Sequence, residues 1–140
     1  MKNKQTLSVL EWAREYRDKG FSVIPIKPKD KAPMIKWAQY QNRLATDKEL
    51  ELWFGNGSEN NIGIVTGKIS GIDVLDLDSK DSVQYAEENE FLNTPLVKTG
   101  KGFHCYCRHK DGVRNFQKRD NLPGIDLRGD GGYVVAPPSI

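Results

Sequence analysis

The chain has 140 residues, of which 37% are hydrophobic and 29% charged, with a formal net charge of +2. That length suits one domain or most of one, and so small a charge does not by itself argue for a nucleic-acid partner. No apolar run reaches the roughly 18 residues of a membrane span, and no apolar signal core follows the basic Met1-Lys2-Asn3-Lys4 start; the expectation is a cytoplasmic protein with no membrane partner.

The two cysteines, Cys105 and Cys107, form a single C-x-C. On a strand they share a face without easily forming an unstrained disulfide, and no second Cys or His pair completes a zinc site. Both are therefore expected to be reduced.

Residues 5–19 have helical spacing, with Val9, Trp12, Ala13 and Tyr16 on one face and Glu11, Arg14, Glu15, Arg17 and Asp18 on others. Gly20 ends the helix. Phe21 to Ile26 is a short strand, and its Pro25 places it at a sheet edge or a strand end. In the 27–44 stretch, Lys27, Lys29, Lys31, Lys36 and Arg43 gather with prolines and with Trp37 and Tyr40. Basic residues interleaved with aromatics suit a phosphate backbone and stacked bases. A solvated lysine loop with Trp37 tucked into the core fits the same residues equally well.

Thr46-Asp47-Lys48-Glu49 is a capping box for a helix over 46–54, with Leu50, Trp53 and Phe54 as its buried face. Asn61 to Gly67 reads as a strand running into a glycine turn, and Lys68 to Gly71 as a hairpin-like connection onward. Asp81 can cap a helix over 82–90, which Asn93-Thr94-Pro95 breaks.

Gly71 to Ser79 is an apolar strand that ends in carboxylates. Alternation puts Asp76 and Asp78 on one face and Leu75 and Leu77 on the other. Two residues of strand rise separate the two aspartates by roughly 6–7 Å at the backbone, so their side chains can converge on one Mg²⁺ or Mn²⁺ ion. The plain alternative is a strand running out into a polar turn.

Thr99 to Gly102 is a glycine-bounded turn whose backbone N–H groups and Lys101 suit a phosphate. In the strand after it, Phe103, Cys105 and Cys107 share one face, and His104, Tyr106 and Arg108 the other. Residues 109–124, with His109, Lys110, Arg114, Lys118 and Arg119, read as a surface loop, either simply solvated or in contact with nucleic acid. Ile125 and Leu127 then face one way, Asp126 and Arg128 the other. Asp130-Gly131-Gly132 has hairpin-turn chemistry, Tyr133 to Ala136 is the return strand, and Pro137-Pro138 ends it.

Three strands thus carry one apolar and one charged face. Paired in one sheet, they would present three carboxylates, a histidine and at least two cations on an open surface. That set suits two-metal phosphoryl or nucleotidyl transfer. Thr66-Gly67-Lys68 lacks the spacing of a P-loop, and no Ser–His–Asp or Cys–His pattern competes. A metal-dependent sugar-nucleotide transferase and a non-catalytic module for single-stranded nucleic acid stay open at this level.

Taken together, these stretches resemble the primase–polymerase (prim-pol) domain of the archaeo-eukaryotic primase superfamily, found in plasmid, phage and integrated-element replication proteins. The resemblance runs through Gly20-Phe21-Ser22-Val23-Ile24-Pro25, Lys31-Ala32-Pro33, Lys36-Trp37 and Asn61 to Gly67. It continues through three motifs in order: Asp76-Leu77-Asp78, Thr99 to His104, and Ile125 to Ser139. It implies an α+β fold: a mixed, mostly antiparallel sheet with an RNA-recognition-motif-like core and helices on the face opposite the acidic one. It implies primer synthesis and DNA polymerisation from (d)NTPs on a single-stranded DNA template. Asp76, Asp78 and Asp126 would be the metal carboxylates for Mg²⁺ or Mn²⁺, and His104 would contact the nucleotide phosphates with Lys101 and Arg128. Lys36, Trp37 and Arg108 would touch nucleic acid. Family domains continue past the Pro-Pro-Ser segment, often to a helicase domain, so the expectation is a single catalytic domain over 1–140 that is incomplete at its C-terminal end.

Overall fold

Ser8 decides where the first helix begins. Its hydroxyl accepts from the Glu11 N–H, and the Glu11 carboxylate accepts from the Ser8 N–H in return, a reciprocal capping box. The helix α1 therefore spans Val9–Asp18, starting later than its apolar spacing suggests. It stops at Gly20, whose φ of 96° is open to glycine at little cost. The computed structural model describes residues 7–77, 84, 96–98, 102–109 and 125–138.

The chain divides into two compact units. The first comprises Met1–Val65 and Tyr133–Ile140. It holds α1, strand β1 (Ser22–Ile26), a 3₁₀ turn (Ala38–Gln41), helix α2 (Asp47–Phe54), strand β2 (Asn61–Val65) and strand β7 (Tyr133–Ala136). The strands form an antiparallel sheet in the order β1-β2-β7. Pro25 accordingly lies on an edge strand, as its missing N–H requires. Helix α1 packs on β1, β2 and α2. The core is Val23, Ile24, Ile26, Leu50, Ile62, Ile64 and Val65, all fully buried, closed by Tyr40, Trp53 and Phe54. Each such aliphatic side chain contributes about 1.5–3 kcal/mol on leaving water. Thr46 caps α2 in a second reciprocal box with Glu49. Arg17 ties the two helices together, donating to Ala45 O at 3.1 Å and to the Asp47 carboxylate.

The second unit, Thr66–Gly132, holds strands β3 (Ile72–Leu77), β4 (Leu96–Lys98), β5 (Phe103–Arg108) and β6 (Ile125–Arg128). They form an antiparallel sheet in the order β4-β5-β3-β6. The α+β class with antiparallel pairing agrees with the sequence reading, and the strands are shared between two sheets.

Two expected hairpins differ for one reason. Strands β2 and β3 are joined by a tight turn, closed by Gly67 N–H to Ile72 O at 2.6 Å and Gly71 N–H to Gly67 O at 2.9 Å, yet they belong to different sheets. The same holds for β6 and β7 across Gly131. The two turns bond to each other: Thr66 N–H donates to Gly132 O, Thr66 Oγ1 to Gly129 O at 2.7 Å, and Lys68 N–H to Asp130 Oδ1 at 2.9 Å. A Cβ on Gly67 would lie 2.8 Å from the Asp130 backbone, and its φ is 92°. Only glycine admits the second turn here. The expected 82–90 helix and Thr99–Lys101 turn lie outside the described residues, apart from Gln84, which is helical. No described helix is long and apolar enough to cross a membrane.

Candidate active site

The candidate site is built on β3, the inner strand between β5 and β6. Register places Asp76 directly opposite His104 on one side and Asp126 on the other. Val97 of β4 continues that row beyond His104. Side chains opposed in an antiparallel ladder sit about 4.5–5.5 Å apart at Cβ. The row therefore reads Asp126, Asp76, His104, all on one face of the sheet. The next row on the same face is Arg128, Val74, Tyr106, and the one after pairs Ile72 with Arg108. The opposite face carries Leu75, Leu77, Phe103, Cys105 and Leu127. No disulfide joins Cys105 and Cys107, whose sulfurs lie 3.8 Å apart.

Local sequence explains the arrangement. Two-residue alternation sends Asp76 away from buried Leu77, and Asp126 and Arg128 away from Leu127. A one-residue slip would turn the aspartates into the apolar face, so burial fixes the register. His104 Nε2 lies 3.7 Å from Asp76 Oδ1, with side-chain exposures of 11% and 25%. Asp126 and Arg128 are half-buried, and Arg108 is exposed. Like charges directly opposite in a ladder oppose folding, and Asp76 facing Asp126 is such a pair. A cation between them would offset that repulsion, and carboxylate oxygens are the donors a hard divalent ion takes. Among the described residues no set of three or more His, Cys, Asp or Glu closes around a metal position. Asp78 and Lys101 lie outside the described residues.

Lys36 is exposed in the first unit, and Trp37 is half-buried, edge-on to Tyr133 with 5.2 Å between ring centroids. Trp37 thus packs on a neighbouring ring while part of its surface stays open.

One pair was not anticipated. His109, expected in a surface loop, has a side chain only 7% exposed, and its Nδ1 lies 2.8 Å from Asp73 Oδ1, itself on a 6% exposed side chain. His109 Nε2 is 3.9 Å from Asp130 Oδ1, and its N–H donates to Gly71 O at 2.8 Å. The cluster fastens the end of β5 to the start of β3. A signal was present: Asp73 shares the apolar face with Leu75 and Leu77, and a carboxylate there demands a partner.

The model of the family described as bifunctional DNA primase/polymerase, N-terminal, matches residues 13–140. No curated protein matches the chain. Membership implies nucleotidyl transfer, with DNA and nucleotides as substrates. With nearly the whole chain matched, the protein belongs to the family of bifunctional DNA primase/polymerase N-terminal domains.

Proposed function

We propose that the chain carries out template-directed nucleotidyl transfer by a two-metal mechanism, building and extending a primer from nucleoside triphosphates in a plasmid- or phage-type replication protein. The observation that carries this reading is the single row of Asp126, Asp76 and His104 across three adjacent strands. Asp76 and Asp126, with Asp78 two residues beyond Asp76, would hold Mg²⁺ or Mn²⁺, and their oxygen donors suit such ions. Held by these carboxylates, such ions would lower the pKa of the attacking 3′-hydroxyl and neutralise charge on the triphosphate.

The protein's own groups position the substrate. His104 borders the carboxylates and, when protonated, donates to a phosphate oxygen. Arg128, one row along the same face, adds a fixed positive charge, and Lys101, two residues before β5 in sequence, would add another. Arg108 stands exposed on that face of β5 and suits a nucleic-acid phosphate.

The test is binding of a labelled dNTP with Mn²⁺, comparing wild type with the Asp76→Asn/Asp126→Asn variant. Both positions are partly exposed and the replacements remove like charge without core volume, so the melting temperature is expected not to fall. Binding is expected to require Mn²⁺ and to weaken at least roughly tenfold in the variant. Equal binding by the two proteins, with or without the ion, would contradict the assignment.

A further inference from the structure

The 27–36 segment of the first unit is a preformed basic hairpin. Lys27 N–H donates to Ala32 O at 2.9 Å, Asp30 N–H to Lys27 O at 3.2 Å, and Met34 N–H to Pro25 O at 2.9 Å. An isolated bridge joins Ile26 to Pro33. The Asp30 carboxylate accepts from the N–H groups of Lys31 and Ala32 at 2.6 and 3.3 Å. Tyr133 donates its hydroxyl to Lys31 O at 2.6 Å, and Trp37 stands edge-on to that tyrosine. Lys29 is held at a φ of 56°, a conformation that favours glycine. The turn is therefore ordered from both sides.

Order of this kind displays charge. Lys27, Lys29, Lys31 and Lys36 are all exposed. Among the described residues none of the four makes a side-chain hydrogen bond or ion pair. The arginines of the same unit behave differently: Arg14 pairs with Glu51, Arg17 with Asp47 and Arg43 with Glu49. The one carboxylate within the hairpin, Asp30, is turned onto backbone N–H groups. Four like charges within ten residues repel one another, and a fold that holds them open is relieved by a polyanion. Lysine acts as a point charge toward phosphate and carries no base readout. Trp37 is edge-on to Tyr133 at the base of the hairpin, and the four exposed lysines are the groups it presents to a polyanion.

We propose that the Lys27–Lys36 hairpin is a docking surface for the phosphate backbone of single-stranded nucleic acid, blind to sequence. This rests on the reading that the chain works on nucleic acid, and it adds the place and the chemistry of one contact.

The experiment measures binding of a labelled single-stranded oligonucleotide across a salt series. The proteins are wild type, Lys27→Gln/Lys29→Asn/Lys31→Gln/Lys36→Gln, and the control Lys19→Gln/Lys48→Gln. Asparagine at position 29 suits the positive φ, and thermal melts verify that each variant is folded. Each phosphate contact on a single strand adds about 0.7 to the slope of log affinity against log salt. The hairpin variant is expected to lose roughly 2 to 3 from that slope, the control nothing, and the loss to be the same for oligonucleotides of different sequence. On a strand with an uncharged backbone, wild type and hairpin variant should bind alike. An unchanged slope in the hairpin variant, or a loss that depends on base sequence, would overturn the hairpin's role while leaving the nucleic-acid reading in place. A folded wild type that binds no oligonucleotide would overturn both.

Discussion

At the scale of single residues, the chain sets two kinds of buried or half-buried carboxylate side by side on one strand. Asp76 faces Asp126 and His104 on the polar face of β3, whereas Asp73, three residues earlier, lies within the second unit against His109. The first arrangement carries like charge in a ladder and suits a cation. The second is internally matched, with hydrogen-bonding atoms 2.8 Å apart on side chains that are almost wholly buried. Removing one partner leaves the other desolvated. Asp73→Ala and His109→Ala are each expected to cost roughly 2–4 kcal/mol, and the double replacement less than the sum. Urea unfolding of the four proteins in that cycle checks this, and a coupling near zero would contradict it. That Asp76, His104 and Asp126 each lie on the charged face of their strand was legible from two-residue alternation; that they stand opposite one another was not. The His109 pairing was signalled from one side only: Asp73 on the apolar face demanded a partner, but nothing local in the sequence named His109 as that partner.

Secondary-structure elements show the same division between local signals and long-range ones. The Thr46 box was readable because its residues stand three apart in sequence, and Thr46→Ala should lower stability by about 1 kcal/mol in thermal melts. The Ser8 box decides the start of α1 in the same way but was hidden by apolar spacing that continues before it. Turn chemistry marked both glycine turns and could not say that each joins two sheets, since that depends on Asp130 seating against Gly67. Gly67→Ala should therefore destabilise by at least about 1 kcal/mol, from the positive φ and the close backbone together. Glu49 belongs to α2 and to its surroundings at once. The Arg43 hydrogen bond, with those from Tyr40 and the Thr46 N–H, holds its carboxyl down at about 2 against an ordinary 4.5, although burial opposes the shift. A folded value below the unfolded one means stability present above pH 4.5 and lost as pH falls toward 2. Glu49→Gln keeps the capping geometry and should flatten the acid limb of a melting-temperature profile over that range; an unaltered limb would contradict the coupling.

At the scale of the whole molecule, strands distant in sequence supply each unit. Strand β7 returns to pair with β2 in the first, and β6 reaches β3 across a long interval in the second. The α+β class and the mostly antiparallel pairing were implied by the family resemblance, but the split into two sheets was not foreseen, because alternation reports faces and not partners. The family assignment came from motif order, and the match over residues 13–140 agrees with it. The central claim is that the carboxylate row performs nucleotidyl transfer. Its most direct test is incorporation of labelled dNTPs on a single-stranded DNA template with Mg²⁺ or Mn²⁺, comparing wild type with Asp76→Asn, each confirmed folded by its melt. The account predicts metal-dependent products complementary to the template from wild type and none from the variant. Synthesis that persists in Asp76→Asn, or a folded wild type that makes no product with either ion, would contradict it.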